Sequence, residues 1–488
     1  MNDTKQSDKA IVAWKPANNG PQGPAERGER RALPKGKPGS QSTDRALKRR
    51  KVSQAANRLR EAAIRKPEER LVALLHHLSI DALHVAYFKL RKDAAAGVDG
   101  MDWHAYGQGL DERLADLHDR VHRGAYRAPP SRRVTIPKEE GGTRSLGIAT
   151  MEDRLLQRAM VDQILEPIYE PAFLGFSYGF RPGRGAHDAL DALMVGIHRR
   201  KVNWILDADI RAFFDTVDRD WVIRFLAHRI GDKRVLRLIT KWLNAGVMDG
   251  DTWEDTGVGT PQGGVVSALL ANVYLHYVLD LWIHRKWRRR QATGDLMVVR
   301  YADDFVVGFQ HRRDAEQFRE DLGQRLEAFG LALHPQKTRL LEFGRFAATN
   351  RKRRGLGKPE TFDFLGMTHY CSRTRKGVFG VRRKPMRKRV SRTLNRIRAV
   401  LERSNRKGRE MARWLGTVVR GWLNYYAVPG SYRFLTSFVL AVKRILLKRL
   451  RRRSQADRTS WSKVQRLVDQ YWPKITIRHP WPNQRLVV

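Results

Sequence analysis

Two apolar runs, Leu296-Met297-Val298-Val299-Arg300-Tyr301 and Phe305-Val306-Val307-Gly308-Phe309, are separated only by Ala302-Asp303-Asp304. Strand-like runs so closely spaced must double back on each other, which puts two adjacent acids at the tip of a hairpin. A second short apolar run, Trp204-Ile205-Leu206-Asp207-Ala208-Asp209-Ile210, is interrupted by two carboxylates. At i and i+2 of a strand these share one face, where charge among Trp, Ile and Leu needs a metal or a cationic partner. An acidic turn alone is ordinary, since turns favour Asp. Taken together, hard oxygen ligands on separate strands suit two Mg²⁺ ions about 3.5–4 Å apart, the arrangement that polymerises nucleotides.

The charge balance points to the same class of partner. Lys and Arg number 94 against 51 Asp and Glu, a formal net charge of +43 in 488 residues. So basic a chain calls for a polyanion, and a nucleic-acid backbone fits better than an anionic membrane. No stretch reaches the roughly 18 apolar residues of a membrane span. The N-terminus lacks a secretory apolar core, so a cytoplasmic, bacterial-type location with nucleoid or RNA–protein association is expected. The single cysteine, Cys371, excludes an intramolecular disulfide and any zinc site of paired cysteines.

Residues 1–54, rich in Gly, Pro, Ser, Lys and Arg, read as a basic, disordered extension. Two helices are expected within 55–90, broken near Ser79 to Asp81, and another over Leu110 to His122. Arg132 to Lys138 and Thr143 to Ile148 form a hairpin around Gly141-Gly142, with Lys138 and Arg144 near its turn. Helices follow over Met151 to Ile168 and Asp188 to His198. Beyond Tyr370 the sequence turns basic, with amphipathic helices over 386–404, 414–426 and 434–453. Trp422, Tyr425, Tyr426 and Trp472 suit either base stacking or a core, and helical spacing favours core.

These blocks resemble the reverse transcriptases, specifically the group II intron-encoded reverse transcriptase/maturases. The resemblance rests on Tyr301-Ala302-Asp303-Asp304, Asp209-Ile210-Arg211-Ala212-Phe213-Phe214-Asp215, Gly175 to Arg184, Gly259-Thr260-Pro261-Gln262-Gly263-Gly264 and Phe362-Asp363-Phe364-Leu365-Gly366, in that family's order. It runs from about Leu59 to Pro482. It implies an α+β right-hand polymerase: N-terminal helices and fingers over 55–200, a palm with an antiparallel sheet over 201–375, and a helical thumb/maturase domain over 376–488. Strand geometry leaves Asp207 and Asp209 equivalent; the resemblance selects Asp209, with Asp303 and Asp304, as the metal-binding triad for two Mg²⁺ ions.

The resemblance further implies that Phe214 excludes a ribose 2′-hydroxyl, that Gln262 lies near the incoming nucleotide, and that Lys138 and Arg144 grip its triphosphate. Lys337 falls where a lysine can protonate pyrophosphate, and Phe364, Leu365 and Gly366 form the primer grip. Ser145 and Ala149 replace prolines usual in the family. Gly421 to Tyr426 and Trp472-Pro473-Lys474 match its thumb and maturase region, which binds intron RNA. Implied partners are a group II intron RNA, an RNA template with a DNA primer, deoxynucleoside triphosphates and a DNA target, with no membrane. Many relatives continue into a cysteine-containing endonuclease domain; here that domain is expected to be missing and the primer to come from elsewhere. The alternative reading is an RNA-binding splicing factor with a silent polymerase site.

If phosphate contacts dominate RNA binding, affinity should fall roughly 10³-fold between about 50 and about 200 mM salt. A flat salt dependence in filter binding contradicts that expectation.

Overall fold

The computed structural model describes residues 40–137, 142–250, 252–254, 259, 263–374, 376–404, 406–452 and 459–485. Residues 1–39 of the expected extension, together with Lys138 and Gln262, lie outside the described residues. The first described helix, Ser40–Arg65, begins inside the segment expected to be disordered. Its Lys, Arg, Ala and Gln are strong helix formers, and Val52 and Leu59 are buried, so a basic composition hid a helix with an anchored face. The break in the N-terminal pair ends at Ser79, whose side chain accepts from Ala82 N and caps Ile80–Lys89.

Eleven described strands make three sheets. β1 (Ser131–Pro137) and β2 (Thr143–Ile148) form the expected hairpin. Parallel pairing of β1 with β4 (Val247–Asp249), itself paired with β5 (Thr252–Glu254), completes the first sheet; β3 (Trp204–Asp209) belongs to the second. That central sheet has the order β6 (Leu296–Tyr301), β7 (Asp304–Phe309), β3, β8 (Arg339–Glu342), antiparallel throughout. The third sheet comprises β9 (Phe362–Phe364), β10 (Met367–Arg373) and β11 (Phe379–Pro385).

The central sheet separates two apolar cores, and the strand alternation of two decides which residue serves which. Leu206, Ala208, Val298, Phe305 and Val307 face a core shared with the N-terminal helices. Ile205, Met297, Val299, Val306 and Leu341 face a second core, built with helix Ala186–Arg199 and the C-terminal helices. By the same parity Asp207, Asp209 and Asp304 stand on the second face, at the end where it gives way to the third sheet.

The C-terminal helices Arg387–Glu402, Gly408–Tyr426 and Tyr432–Arg451 match the amphipathic pattern, the second starting earlier than expected, and a fourth, Trp461–Tyr471, was not expected. Trp422, Tyr426 and Trp472 are core, as helical spacing favoured. Buried Arg383 of β11 pairs with buried Asp191 at 2.8 Å, and Arg485 reaches the same carboxylate at 2.9 Å. This ties the chain's end to helix Ala186–Arg199.

Candidate active site

β6 and β7 pair up to Tyr301 opposite Asp304, which leaves Ala302 and Asp303 as a two-residue loop. Ala302 takes φ of 57°, the sign that tight hairpin turns need and that glycine normally supplies. Asp304 faces Asp209 directly across β7 and β3, while Asp207 faces Val306. Register separates the two strand acids in position: Asp209 meets the acidic turn, and Asp207 lies one step back beside Arg339 at 3.5 Å.

Burial is the largest influence raising the Asp303 carboxyl, with nearby Asp209 adding to it and Arg144 and Arg300 opposing it. Asp304 keeps an open side at the rim, yet the packing around it, joined by Asp303, Asp209 and Asp207, pushes it up to about 7. Burial raises Asp207 to about 6, against the pull of Arg339. Carboxylates that penalise one another's ionisation at a solvent-facing edge are suited to a cation. Lys337 supplies one in part, its Nζ lying 3.1 Å from Asp209. The turn carrying it is docked by His334 N donating to Asp209 O at 2.8 Å.

Among the described residues no three His, Cys, Asp or Glu side chains close into a metal cage. Magnesium rarely uses such cages; it takes one or two carboxylates and fills its octahedron with water and substrate phosphate. The donor set Asp209, Asp303 and Asp304 fits that open mode.

Arg144 is exposed on β2 and close enough to influence Asp303. Phe214 is half-buried, edge-on to Phe213 at 5.3 Å. Gly259, at φ of 88°, lies so close to the Phe214 carbonyl that a Cβ there would approach it to 2.8 Å. A Cβ at Gly263 would come within 2.8 Å of Gly147 O, so the described ends of the Gln262 block meet both Phe214 and the first hairpin. Leu365 and Gly366, both at positive φ, form the two-residue turn between Phe364 and Met367. Tyr425 donates its hydroxyl to Leu365 O at 2.6 Å, and Met386 N donates to Gly366 O at 3.1 Å. The C-terminal helices thus hold this turn.

Sequence reasoning passed over the support beneath the hairpin. Arg300 and Asp280 are both 0% exposed and form a two-pronged ion pair at 2.7 and 2.6 Å. Arg300 also donates to Asn272 Oδ1 at 3.0 Å, Ser177 Oγ at 2.8 Å and the carbonyl of Ala302 at 2.9 Å. Asn272 in turn donates to Gly179 O at 2.7 Å, and a Cβ at Gly179 would meet Ala302 N at 2.4 Å. Asp280 closes a π-helical turn, His276–Asp280, of the kind found at functional positions. An Arg inside a strand otherwise made of Leu, Met, Val and Tyr was the available signal.

A family model described as reverse transcriptase (RNA-dependent DNA polymerase) matches residues 136–369, which hold the hairpin, Asp209, Arg144, Phe214, Lys337 and the Phe364–Gly366 turn. Protein YkfC of Escherichia coli is 32% identical over 274 residues, 50% of this chain and 71% of that protein. The group II intron-encoded protein LtrA of Lactococcus lactis is 38% identical over 224 residues, 46% of this chain and 37% of LtrA. An uncharacterized 91 kDa protein in a cob intron of Schizosaccharomyces pombe is 28% identical over 472 residues, 82% of this chain. That match spans 55% of the fission yeast protein, so the chain covers about half of its length. The chain belongs to the group II intron-encoded reverse transcriptase/maturase family.

Arg300→Met leaves Asp280 as an unpaired buried charge and should cost ~3–5 kcal/mol in chemical denaturation. Arg300→Lys keeps the charge and loses the fork, so it should retain most stability while slowing any turnover at the hairpin roughly 10–100-fold. Equal stability of Arg300→Met and wild type contradicts the assignment.

Proposed function

We propose that the chain is an RNA-directed DNA polymerase that also binds its intron RNA and assists the splicing and retrohoming of a mobile group II intron. The observation that carries this reading is the register that sets Asp209 opposite Asp304 beside the Asp303 turn, inside the segment matching reverse transcriptases. In this reading the central sheet is the palm, the β1–β2 hairpin belongs to the fingers, and the helices from Arg387 onward are the thumb and maturase region.

Asp209, Asp303 and Asp304 would hold two Mg²⁺ ions, which when bound supply activation of the primer 3′-hydroxyl and neutralise charge on the pyrophosphate. The chain's own groups do the rest. Arg144, with Lys138 and Gln262 as further candidates, orients the deoxynucleoside triphosphate, as positioning and electrostatics dominate phosphoryl transfer. The Phe214 ring would exclude a ribose 2′-hydroxyl on the incoming nucleotide. The Phe364-Leu365-Gly366 turn, fixed by Tyr425, presents the primer end. Lys337, 3.1 Å from Asp209, is the candidate proton donor to the departing pyrophosphate.

Outside the site, helix Arg387–Glu402 carries basic residues along most of its length and buries only Ile397 and Leu401. Its exposed face suits RNA phosphates, and binding there would stabilise compact intron RNA by counterion release. No described helix is long and apolar enough to cross a membrane.

The test is extension of a DNA primer on an RNA template with Mg²⁺ and deoxynucleotides, comparing wild type with Asp303→Asn at equal RNA binding. Extension by wild type alone is expected. No extension by either, with tight RNA binding retained, contradicts the polymerase reading and favours a splicing factor with a silent site. In the same assay Phe214→Ala should admit ribonucleotides, and unchanged discrimination would mean that Phe214 does not select the sugar.

A further inference from the structure

Among the described residues, five that are not glycine adopt positive φ: Ala73, Phe180, Ala212, Ala302 and Leu365. Four of the five belong to the blocks around the acidic hairpin, and three of those four are small or lie in a tight turn. Phe180 is the exception, a bulky aromatic at φ of 57°, where a side chain other than glycine's is strained. The residue is also 56% exposed. Trp253, Phe346 and Trp481 are as exposed but have ordinary φ, as single surface apolar residues usually do.

The loop spends considerable structure on keeping this ring in place. Arg181, next in sequence and buried, grips Glu170 at 2.8 Å and donates to the carbonyls of Leu174 and Ser177 at 2.8 and 2.7 Å. Arg184 donates to Gly175 O at 2.7 Å. Gly179, just before Phe180, is pressed against Ala302 of the hairpin. The Phe180 ring consequently lies 6.4 Å from that of Tyr301, at the foot of the turn bearing Asp303 and Asp304. A ring that gained nothing from exposure would lower its energy by turning inward or by giving way to glycine.

We propose that Phe180 is a substrate-binding residue whose ring packs against the terminal base pair of an RNA-template/DNA-primer duplex. The inference rests on the polymerase reading of the hairpin. With the primer end required at Asp303 and Asp304, the base pair that ends the duplex is the apolar surface that comes within reach of a ring beside Tyr301. Because the mount is rigid, the contact needs little ordering on binding.

The decisive variant is Phe180→Gly, which removes the ring and relieves the backbone at once. Three quantities are measured: melting temperature, and fluorescence-anisotropy affinities for a recessed RNA-template/DNA-primer duplex and for a single-stranded RNA of equal length. Phe180→Gly should melt at or above the wild-type temperature. It should bind the recessed duplex roughly 5–100-fold more weakly, the range for loss of one aromatic–base contact. Its affinity for single-stranded RNA, which uses the basic surface, should change less than about twofold. Phe180→Trp should restore duplex binding.

Unchanged duplex affinity in Phe180→Gly overturns the proposal. So does an equal loss on both nucleic acids, or a lower melting temperature with failure of Phe180→Trp to rescue, either of which marks a structural role. Since binding needs no turnover, a wild type that binds the duplex but extends no primer defeats the polymerase reading and leaves these outcomes for Phe180 unaffected.

Discussion

The ion pair of Arg300 with Asp280 holds the hairpin against the rest of the molecule. Two charges taken wholly out of water cost several kcal/mol each, and replacing such a pair with apolar residues is often neutral or stabilising. Here the guanidinium does more than neutralise a carboxylate. Its remaining donors fix Asn272, Ser177 and the carbonyl of Ala302, so one side chain links the π-turn, the Gly175–Arg184 loop and the strained residue of the acidic turn. A hydrophobic replacement would fill the space and leave that carbonyl, and the direction of Asp303, unspecified.

The two faces of the central sheet divide the labour. On one, the Arg300 network and the N-terminal core supply rigidity. On the other, the carboxylates stand at the edge of the second core, where the Phe364–Gly366 turn and the C-terminal helices converge. Crowding of acids at that edge, felt most strongly at Asp304, is eased by the charge of Lys337 beside Asp209. The basic residues that give the chain its charge of +43 lie largely outside these cores, where they remain available to a polyanion.

Much of this was legible in the sequence because local spacing carried it. The hairpin of Leu296 to Phe309, the first hairpin and the helices Leu110–His122 and Arg387–Glu402 follow from periodicity and turn residues. The helix from Ser40 was missed because charge masked a narrow apolar stripe. Strand alternation leaves Asp207 and Asp209 equivalent and the resemblance selects Asp209; that Asp209 lies opposite Asp304 is a matter of register with β7, a nonlocal quantity that alternation cannot supply. Arg300 and Asp280 were missed for a similar reason: a partner 20 positions away on a π-turn leaves no periodic trace. Lys337 was anticipated near pyrophosphate, but its pairing with Asp209 depends on how the turn after Leu333 folds back on β3.

The central claim is that Asp209, Asp303 and Asp304 form one cation-binding centre beside the primer end. It is tested most directly by counting Mn²⁺ ions, as a spectroscopic substitute for Mg²⁺, bound to the protein with a chain-terminated template–primer and a matching deoxynucleoside triphosphate. Two tightly bound ions per chain in wild type, and their loss in Asp209→Asn/Asp304→Asn with template–primer affinity retained, is the predicted result. Undiminished tight Mn²⁺ binding in the double variant would contradict it.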